Sequence, residues 1–224
     1  MATDDPFAAC EEAVRRHDPD RYFAALFAPE DKRRHLFVLY ALYYELAHAV
    51  AVAREPMLVA IRLAWWRETV EGARAGKPRE HAVAKALVET LAAHELPQEL
   101  FDAMTEGWMP REAFVTAAEA EGHAEATVGT LMRLGALVLG SDANVRDAAI
   151  AYGLAGRRGG VWTAIDTDGL ARAHYTAARK MVVPKAVLPA LMPAALVPLY
   201  LKRPEPLLWR KQIAYLRVAM RGKL

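Results

Sequence analysis

Acidic and histidine side chains are the first residues that could do chemistry in this chain of 224 residues. Glu121, His123 and Glu125 have helical spacing that a metal site could use, but this spacing is commoner on solvated helix faces, which we favour. Asp166 and Asp168 would point to nearly opposite sides of a helix, so a turn or a helix N-cap is the better interpretation. We find no glycine-rich phosphate loop, nucleophile elbow or Cys–His pair. The sequence therefore predicts no catalytic residues and no metal ligands.

A second group of residues shares one helix face although most of its members are unreactive. The helix is predicted from about Asp31 to Arg54, after Pro29. Five residues at spacings of three and four share this face, namely Phe37, Tyr40, Tyr44, Ala47 and Ala51. The first three of these residues have aromatic side chains, and the last two have only a methyl group. We predict that these five residues line a cavity.

The next predicted helix, from Pro56 to about Ala75, carries an arginine on an apolar stripe. The stripe consists of Leu58, Ile61, Arg62, Trp65 and Thr69. We expect Arg62 to face inward and add it to the cavity lining. A buried arginine is costly without a partner, so two alternatives remain open. Arg62 contacts an anion or Glu45, or it ends the stripe and extends to water.

Two neighbouring groups complete the candidate site. Trp65 and Trp66 are adjacent and cannot both face the core, so one of them is predicted to line a cavity or a surface groove. Glu45 and His48 lie beside Tyr44 and could form a small polar cluster. A structural hydrogen-bond network is the favoured interpretation of this cluster.

Only α-helices are predicted to position these residues. Alanine and leucine dominate, period-2 alternation is almost absent, and proline or glycine recurs at helix-length intervals. We predict an all-α fold in one domain over residues 1–224. Helix starts are predicted at Pro6, Pro97, Pro110 and near Gly122, and a helix end at Gly140. The apolar run from Ala186 to Leu201 contains three prolines and is shorter than the ~20 residues of a membrane span, so we predict a buried, kinked helix there.

Several motifs, in this order along the chain, resemble the squalene and phytoene synthase family, whose members join two isoprenoid diphosphates head to head. They cover most of the first 160 residues of the sequence. The matching segments are Tyr22-Phe23, Tyr40-Ala41, Trp65-Trp66 with Gly76, Leu96-Pro97 with Gly107, residues 126–131 (ATVGTL), Gly140, and Tyr152 with Ala155-Gly156. The resemblance implies an isoprenoid-synthase-like helical bundle.

The acids of that family's chemistry are missing at the matching positions. Active members carry two aspartates four residues apart on the first of these helices, and a second acidic motif on a later helix. Alignment on Tyr40-Ala41 puts the two aspartates at Ala47 and Ala51, and no acidic motif follows Gly156 before Asp166. Such acids hold Mg²⁺ against the diphosphate. We therefore expect no cofactor. The alternative is an active head-to-head prenyltransferase with a remodelled Mg²⁺ site.

Charge is balanced overall, with 29 Lys and Arg against 27 Asp and Glu, but the C-terminus is basic. A basic amphipathic helix is predicted at about 205–222, with an apolar stripe of Trp209, Ile213, Leu216 and Met220. It could contact a membrane surface or a protein partner, or simply pack on the domain. Nucleic-acid binding would need a broader basic surface and is not expected. The single Cys10 and the absence of a signal-peptide pattern predict a cytoplasmic protein, peripheral to a membrane if this helix binds one.

Within the family, the chain resembles a branch that lacks the metal-binding aspartates. The resemblance lies in Glu45-Leu46-Ala47, in Glu55 and in the stretch from Arg62 to Trp66. Eukaryotic representatives of this branch are mitochondrial proteins linked to assembly of respiratory complex I. The resemblance implies a noncatalytic protein that binds an isoprenoid or another lipid, or that acts as an assembly factor for a complex I-like enzyme.

Overall fold

The protein is built from helices joined by turns and longer connecting segments. In the computed structural model, which describes residues 5–53 and 55–224, no β-strand is present. The helices are α1 (Pro6–His17), α2 (Pro19–Ala25), α3 (Glu30–Val52), α4 (Pro56–Arg74), α5 (Ala82–Ala93), α6 (Gln98–Gly107), α7 (Ala117–Ala124), α8 (Thr130–Val138), α9 (Arg146–Leu154), α10 (Thr167–Ala178), α11 (Leu188–Leu191), α12 (Val197–Tyr200) and α13 (Leu208–Arg221). A π-helical turn, Glu125–Gly129, joins α7 to α8. The predicted all-α fold is confirmed.

Local capping explains where several helices begin. The Asp5 carboxylate accepts a hydrogen bond from the Phe7 amide at 2.9 Å, just before the predicted start at Pro6. The starts predicted at Pro110 and near Gly122 were wrong. Helix α7 begins instead at Ala117 because Thr116 and Glu119 form a reciprocal capping box. The end at Gly140 is confirmed, since this glycine follows α8 with a φ of 90°.

Helix α3 is the central helix of the bundle. All of its residues from His35 to Tyr43 are buried, and it packs against α1, α5 and α8. By length and composition alone this helix could cross a bilayer, but 56% of its apolar window is buried inside the protein, as in the core helix of a globular domain. The predicted span to Arg54 ends at Val52, and Arg54 lies outside the described residues.

The apolar run near the C-terminus is buried, as predicted, and it is broken by its prolines. Pro189, Pro193 and Pro198 each stand near the start of a short helical piece, where a missing amide hydrogen is tolerated. The final helix α13 falls within the predicted range of about 205–222.

A buried carboxylate ties α13 to the rest of the domain. Asp20 on α2 accepts hydrogen bonds from Tyr152 on α9 at 3.0 Å and from Tyr200 on α12. Lys211 on α13 donates to the Asp20 carboxylate at 2.7 Å, and Tyr215 donates to the Asp20 carbonyl at 3.0 Å. Burial raises the pKa of Tyr200, and the Asp20 charge raises it further, so the phenol stays protonated and donates. We call these five residues the Asp20 network.

Candidate ligand-binding cavity

An aromatic cavity of about 260 Å³ opens beside α3. Its walls come from α3, the segment that follows α6, the end of α7, the π-helical turn, the end of α9 and the segment before α10. It is lined by Tyr43, Val50, Trp108, Met109, Pro110, Arg111, Phe114, His123, Ala124, Thr127, Val128, Gly153, Arg157, Val161 and Trp162. Phe114 and Trp162 stack at 4.3 Å between ring centroids, which gives the cavity a flat aromatic wall. A ligand with an apolar body fits such a lining.

Positive charge surrounds this cavity. Arg111 and Arg157 line it, and buried Arg21 places its guanidinium 4.5 Å from the ring centroid of the lining residue Tyr43. Arg21 is held there by Asp18, with 2.5 Å between the guanidinium and a carboxylate oxygen. The arginine is therefore paired, as a buried cation requires.

His123 brings a neutral polar group to the cavity. Burial, together with the nearby charges of Arg157 and Arg111, lowers the pKa of His123 to about 4. The imidazole is therefore uncharged at neutral pH. Within the described part of the chain, His123 Nδ1 and Trp108 Nε1 are buried without a hydrogen-bond partner.

The cavity wall on α3 carries no acid. Tyr43 and Val50 line the cavity, whereas Ala47, roughly 40° from Tyr43 around the helix axis, is not among its lining residues. Glu45 lies roughly 200° from Tyr43, on the opposite side of the helix. Among the described residues that line the cavity, none is aspartate or glutamate.

The wall at the end of α9 also lacks an acid. Gly153 and Arg157 line the cavity there. Asp166 caps α10 by accepting from the Gly169 amide at 2.9 Å, which confirms the N-cap interpretation. Asp168 accepts from the Gly156 amide at 3.2 Å and pairs with Arg158. In residues 5–53 and 55–224, no group of three or more Asp, Glu, His or Cys residues could hold a metal ion.

The five residues predicted to share the α3 face lie in different surroundings. Phe37 and Tyr40 are buried in the core, and Phe37 stacks on Tyr22 at 5.5 Å. The Tyr44 ring stacks on the rings of His17 and His48, on the side of α3 that faces α1. Ala51 is exposed. None of the five is among the residues that line the aromatic cavity. Whether any of them contacts a ligand stays a prediction.

The remaining predicted residues come together in a separate groove of about 330 Å³ between α3 and α4. It is lined by Glu45, His48, Ala49, Ile61, Arg62, Trp65, Trp66 and His81. Glu45 lies 4.0 Å from the Nε2 atom of His81. Trp66 is buried and Trp65 is half-buried, as expected for two adjacent tryptophans of which one belongs to the core.

The expectation that Arg62 faces inward was wrong. Arg62 and Ile61 are exposed, because α4 turns a different apolar stripe toward the core. The buried stripe consists of Val59, Leu63, Trp66, Val70 and Ala73. Among the described residues Arg62 forms no ion pair with Glu45 or any other acid, and its contact with an anion stays a prediction.

The glutamates around His123 are used in surface ion pairs. Glu121 and Glu125 lie 3.6 and 3.0 Å from the guanidinium of Arg146. Glu121 also approaches His174 at 3.4 Å, whereas His123 lines the aromatic cavity. The solvated-face interpretation of these glutamates is confirmed.

The aromatic lining was not found from the sequence. Trp108, Phe114 and Trp162 lie on non-helical or 3₁₀ segments, where helical spacing gives no information. Tyr43 and Val50 stand seven residues apart on α3, and this spacing was the available signal for the cavity face.

Residues 14–170 match the squalene/phytoene synthase family, which is more than half of the chain. The chain belongs to the squalene/phytoene synthase family. The structure resembles a dehydrosqualene synthase with a TM-score of 0.77 and 13% identity, covering 96% of both chains. It also resembles the squalene synthase HpnC from Alicyclobacillus acidocaldarius, with a TM-score of 0.67 and 17% identity, covering 97% of this chain and 94% of the other. These likenesses establish the isoprenoid synthase fold.

Curated relatives in this family are named for a role in assembly. The chain is 28% identical over 134 residues to the human protein named NADH dehydrogenase (ubiquinone) complex I, assembly factor 6, and 27% identical over 135 residues to the bovine protein of that name. Each match covers 58% of this chain and 40% of the relative. The matched region is therefore less than half the length of these relatives.

Proposed function

We propose that this chain is a noncatalytic member of the squalene/phytoene synthase family that binds an apolar ligand and acts in the assembly of a respiratory NADH dehydrogenase. The observation that carries the proposal is the aromatic cavity, which has no carboxylate among its described lining side chains, with Tyr43 and Val50 of α3 on one wall and Arg157 beyond α9 on another.

The missing acids bear directly on the family's chemistry. An isoprenoid diphosphate must have its charge neutralised by Mg²⁺ before the carbon–oxygen bond ionises, and Mg²⁺ is held through one or two carboxylates for each ion. Asp166 and Asp168, the nearest acids after α9, cap a helix and pair with Arg158. The alternative, an active prenyltransferase with a remodelled Mg²⁺ site, would need other acids. The groove between α3 and α4 offers one, Glu45.

The lining suits an isoprenoid or another lipid chain. Aromatic rings from Tyr43, Phe114 and Trp162 offer an apolar wall, and two arginines add positive charge. A volume of about 260 Å³ accommodates one segment of such a chain.

The assembly role is supported by the relatives' names and by their sequence similarity to this chain. Because the match covers 40% of each relative, the role is carried over as a proposal for the matched domain. We place the protein in the cytoplasmic compartment and peripheral to the membrane in which a respiratory complex is built. A membrane surface and a protein of that complex are both candidate partners for α13.

Deleting the gene and measuring assembled NADH:quinone oxidoreductase tests the assembly role. We expect less assembled enzyme and lower NADH:quinone activity, with both restored by the wild-type chain. Complementation with Asp142→Ala, a change in an exposed ion pair, serves as the matched control and should restore both. An unchanged amount of complex after deletion would show that the assembly role is wrong.

A further inference from the structure

A groove of about 390 Å³ between the end of α10 and α13 is strongly cationic. Five basic residues line it, namely Arg179, Arg210, Arg217, Arg221 and Lys223, and no aspartate or glutamate side chain does. Within the part of the chain that the structure describes, none of the five forms an ion pair with an acidic side chain. Their charges therefore add to one positive surface.

An apolar stripe runs along the exposed side of the same helix. Trp209 is 53% exposed, Leu216 is 51% exposed and Met220 is 78% exposed, and Ile213 completes the stripe at helical spacing. Such large apolar side chains in a continuous line are uncommon on the surface of a soluble monomer. We therefore expect another surface to contact this stripe.

The Asp20 network holds this stripe outward. Lys211 and Tyr215 lie on the opposite side of α13, where they bind Asp20. Val218 on that side is also buried. Rotating α13 to bury the stripe would break these contacts, so the stripe stays exposed in the folded domain.

Cations and apolar side chains are arranged side by side on α13. Arg210 and Arg217 lie roughly 80–100° around the helix from Trp209, so a row of arginines flanks the apolar stripe. This is the arrangement of a helix that lies in the plane of a membrane, with its apolar stripe in the acyl boundary and its cations at the headgroups.

We propose that the α10–α13 groove and the stripe of α13 form a docking surface for an anionic lipid bilayer. Charge complementarity identifies the occupant, because five cations with no acid among the groove's side chains match the phosphates of anionic headgroups. The proposal concerns α10 and α13 alone and does not depend on the ligand or assembly role of the aromatic cavity.

Sedimentation of the full chain with lipid vesicles tests the docking surface. We expect binding to vesicles of phosphatidylcholine mixed with phosphatidylglycerol, weak binding to phosphatidylcholine alone, and release at high salt. The Arg210→Glu/Arg217→Glu variant should bind at least about tenfold more weakly, since two attractions become repulsions. A matched control, Arg67→Glu/Lys77→Glu, makes the same charge change at exposed positions outside the groove and should bind like the wild type.

Two further measurements distinguish binding to a bilayer from binding to other anions. Trp209→Ser should weaken vesicle binding without changing the net charge, and an excess of inorganic phosphate should not displace the protein from vesicles. Far-UV circular dichroism of each variant checks that the chain is folded. Equal binding to neutral vesicles, no binding to any vesicle, full binding by the groove variant, or displacement by inorganic phosphate would each overturn the proposal.

Discussion

The aromatic cavity beside α3 and the cationic groove beside α13 share one property and differ in the rest. Neither has an aspartate or glutamate among its described lining side chains. In the cavity, a Mg²⁺ ion would find no carboxylate ligand among these side chains, and the walls are mainly aromatic. In the groove, this absence leaves five cations uncompensated at the surface. The same absence has different consequences, because the cavity is walled mainly by aromatic rings and the groove is lined by five basic side chains.

The Asp20 network joins the two regions. Tyr152 precedes the cavity residue Gly153, and Lys211 anchors the helix that carries the groove. Replacing Asp20 with alanine leaves the Lys211 ammonium largely buried beside Tyr200 alone. We expect Asp20→Ala to lower the free energy of unfolding by about 3–5 kcal/mol, measured by chemical denaturation.

The matched control for this change is Asp142→Ala. Asp142 pairs with Arg133 at 2.8 Å, but both side chains are about half exposed. We expect a loss of no more than about 1 kcal/mol. Equal losses for Asp20→Ala and Asp142→Ala would contradict the role of the Asp20 network.

A smaller change separates the cavity from the groove. Phe114 is buried, lines the cavity and stacks on Trp162. Phe114→Leu keeps most of the side-chain volume and removes the ring contact, so we expect it to cost about 1–2 kcal/mol of unfolding free energy. Vesicle binding by this variant should equal that of the wild type. A parallel loss of vesicle binding would show that the two regions do not act independently.

The pH dependence of stability reports on His123. Its pKa is about 4 in the folded chain, because of burial, against an ordinary value of 6.5. Between these values the unfolded chain binds more protons, so stability falls as the pH decreases from about 6.5 to about 4. Replacing His123 with glutamine should reduce this slope by up to about 1.4 kcal/mol per pH unit.

His35 offers an internal comparison for this measurement. Burial lowers its pKa to about 4 as well, and His35 contacts Thr90 at 3.0 Å instead of lining the cavity. His35→Gln should therefore reduce the slope over the same pH range. An unchanged slope in His123→Gln, with a reduced one in His35→Gln, would mean that His123 is not neutral in the folded chain.

The sequence predicted the helices of this protein better than it predicted the residues that line its cavity. Prolines and caps such as Asp5 and Asp166 act locally, so they identify helix starts without tertiary information. The absence of acids at Ala47 and Ala51 was likewise visible, because a missing side chain does not depend on packing. The helix start predicted at Pro110 was wrong, because α7 begins several residues later, after the Thr116 capping box.

The orientation of α4 and the aromatic walls could not be derived in this way. Helix α4 has two apolar stripes, one through Ile61 and one through Leu63, and only packing against its neighbours decides which is buried. Trp108, Phe114 and Trp162 come from separate connecting segments that meet through the tertiary fold. Periodicity therefore has no pattern to detect for them.

The central claim is that this family member does not turn over isoprenoid diphosphates. The most direct measurement is pyrophosphate release from farnesyl and geranylgeranyl diphosphate with Mg²⁺, with an active dehydrosqualene synthase as the positive control. We predict no release above the protein-free background. The Ala47→Asp/Ala51→Asp variant should also be inactive, because the end of α9 supplies no second acid. Robust pyrophosphate release by the wild-type chain, with formation of a head-to-head product, would contradict the account.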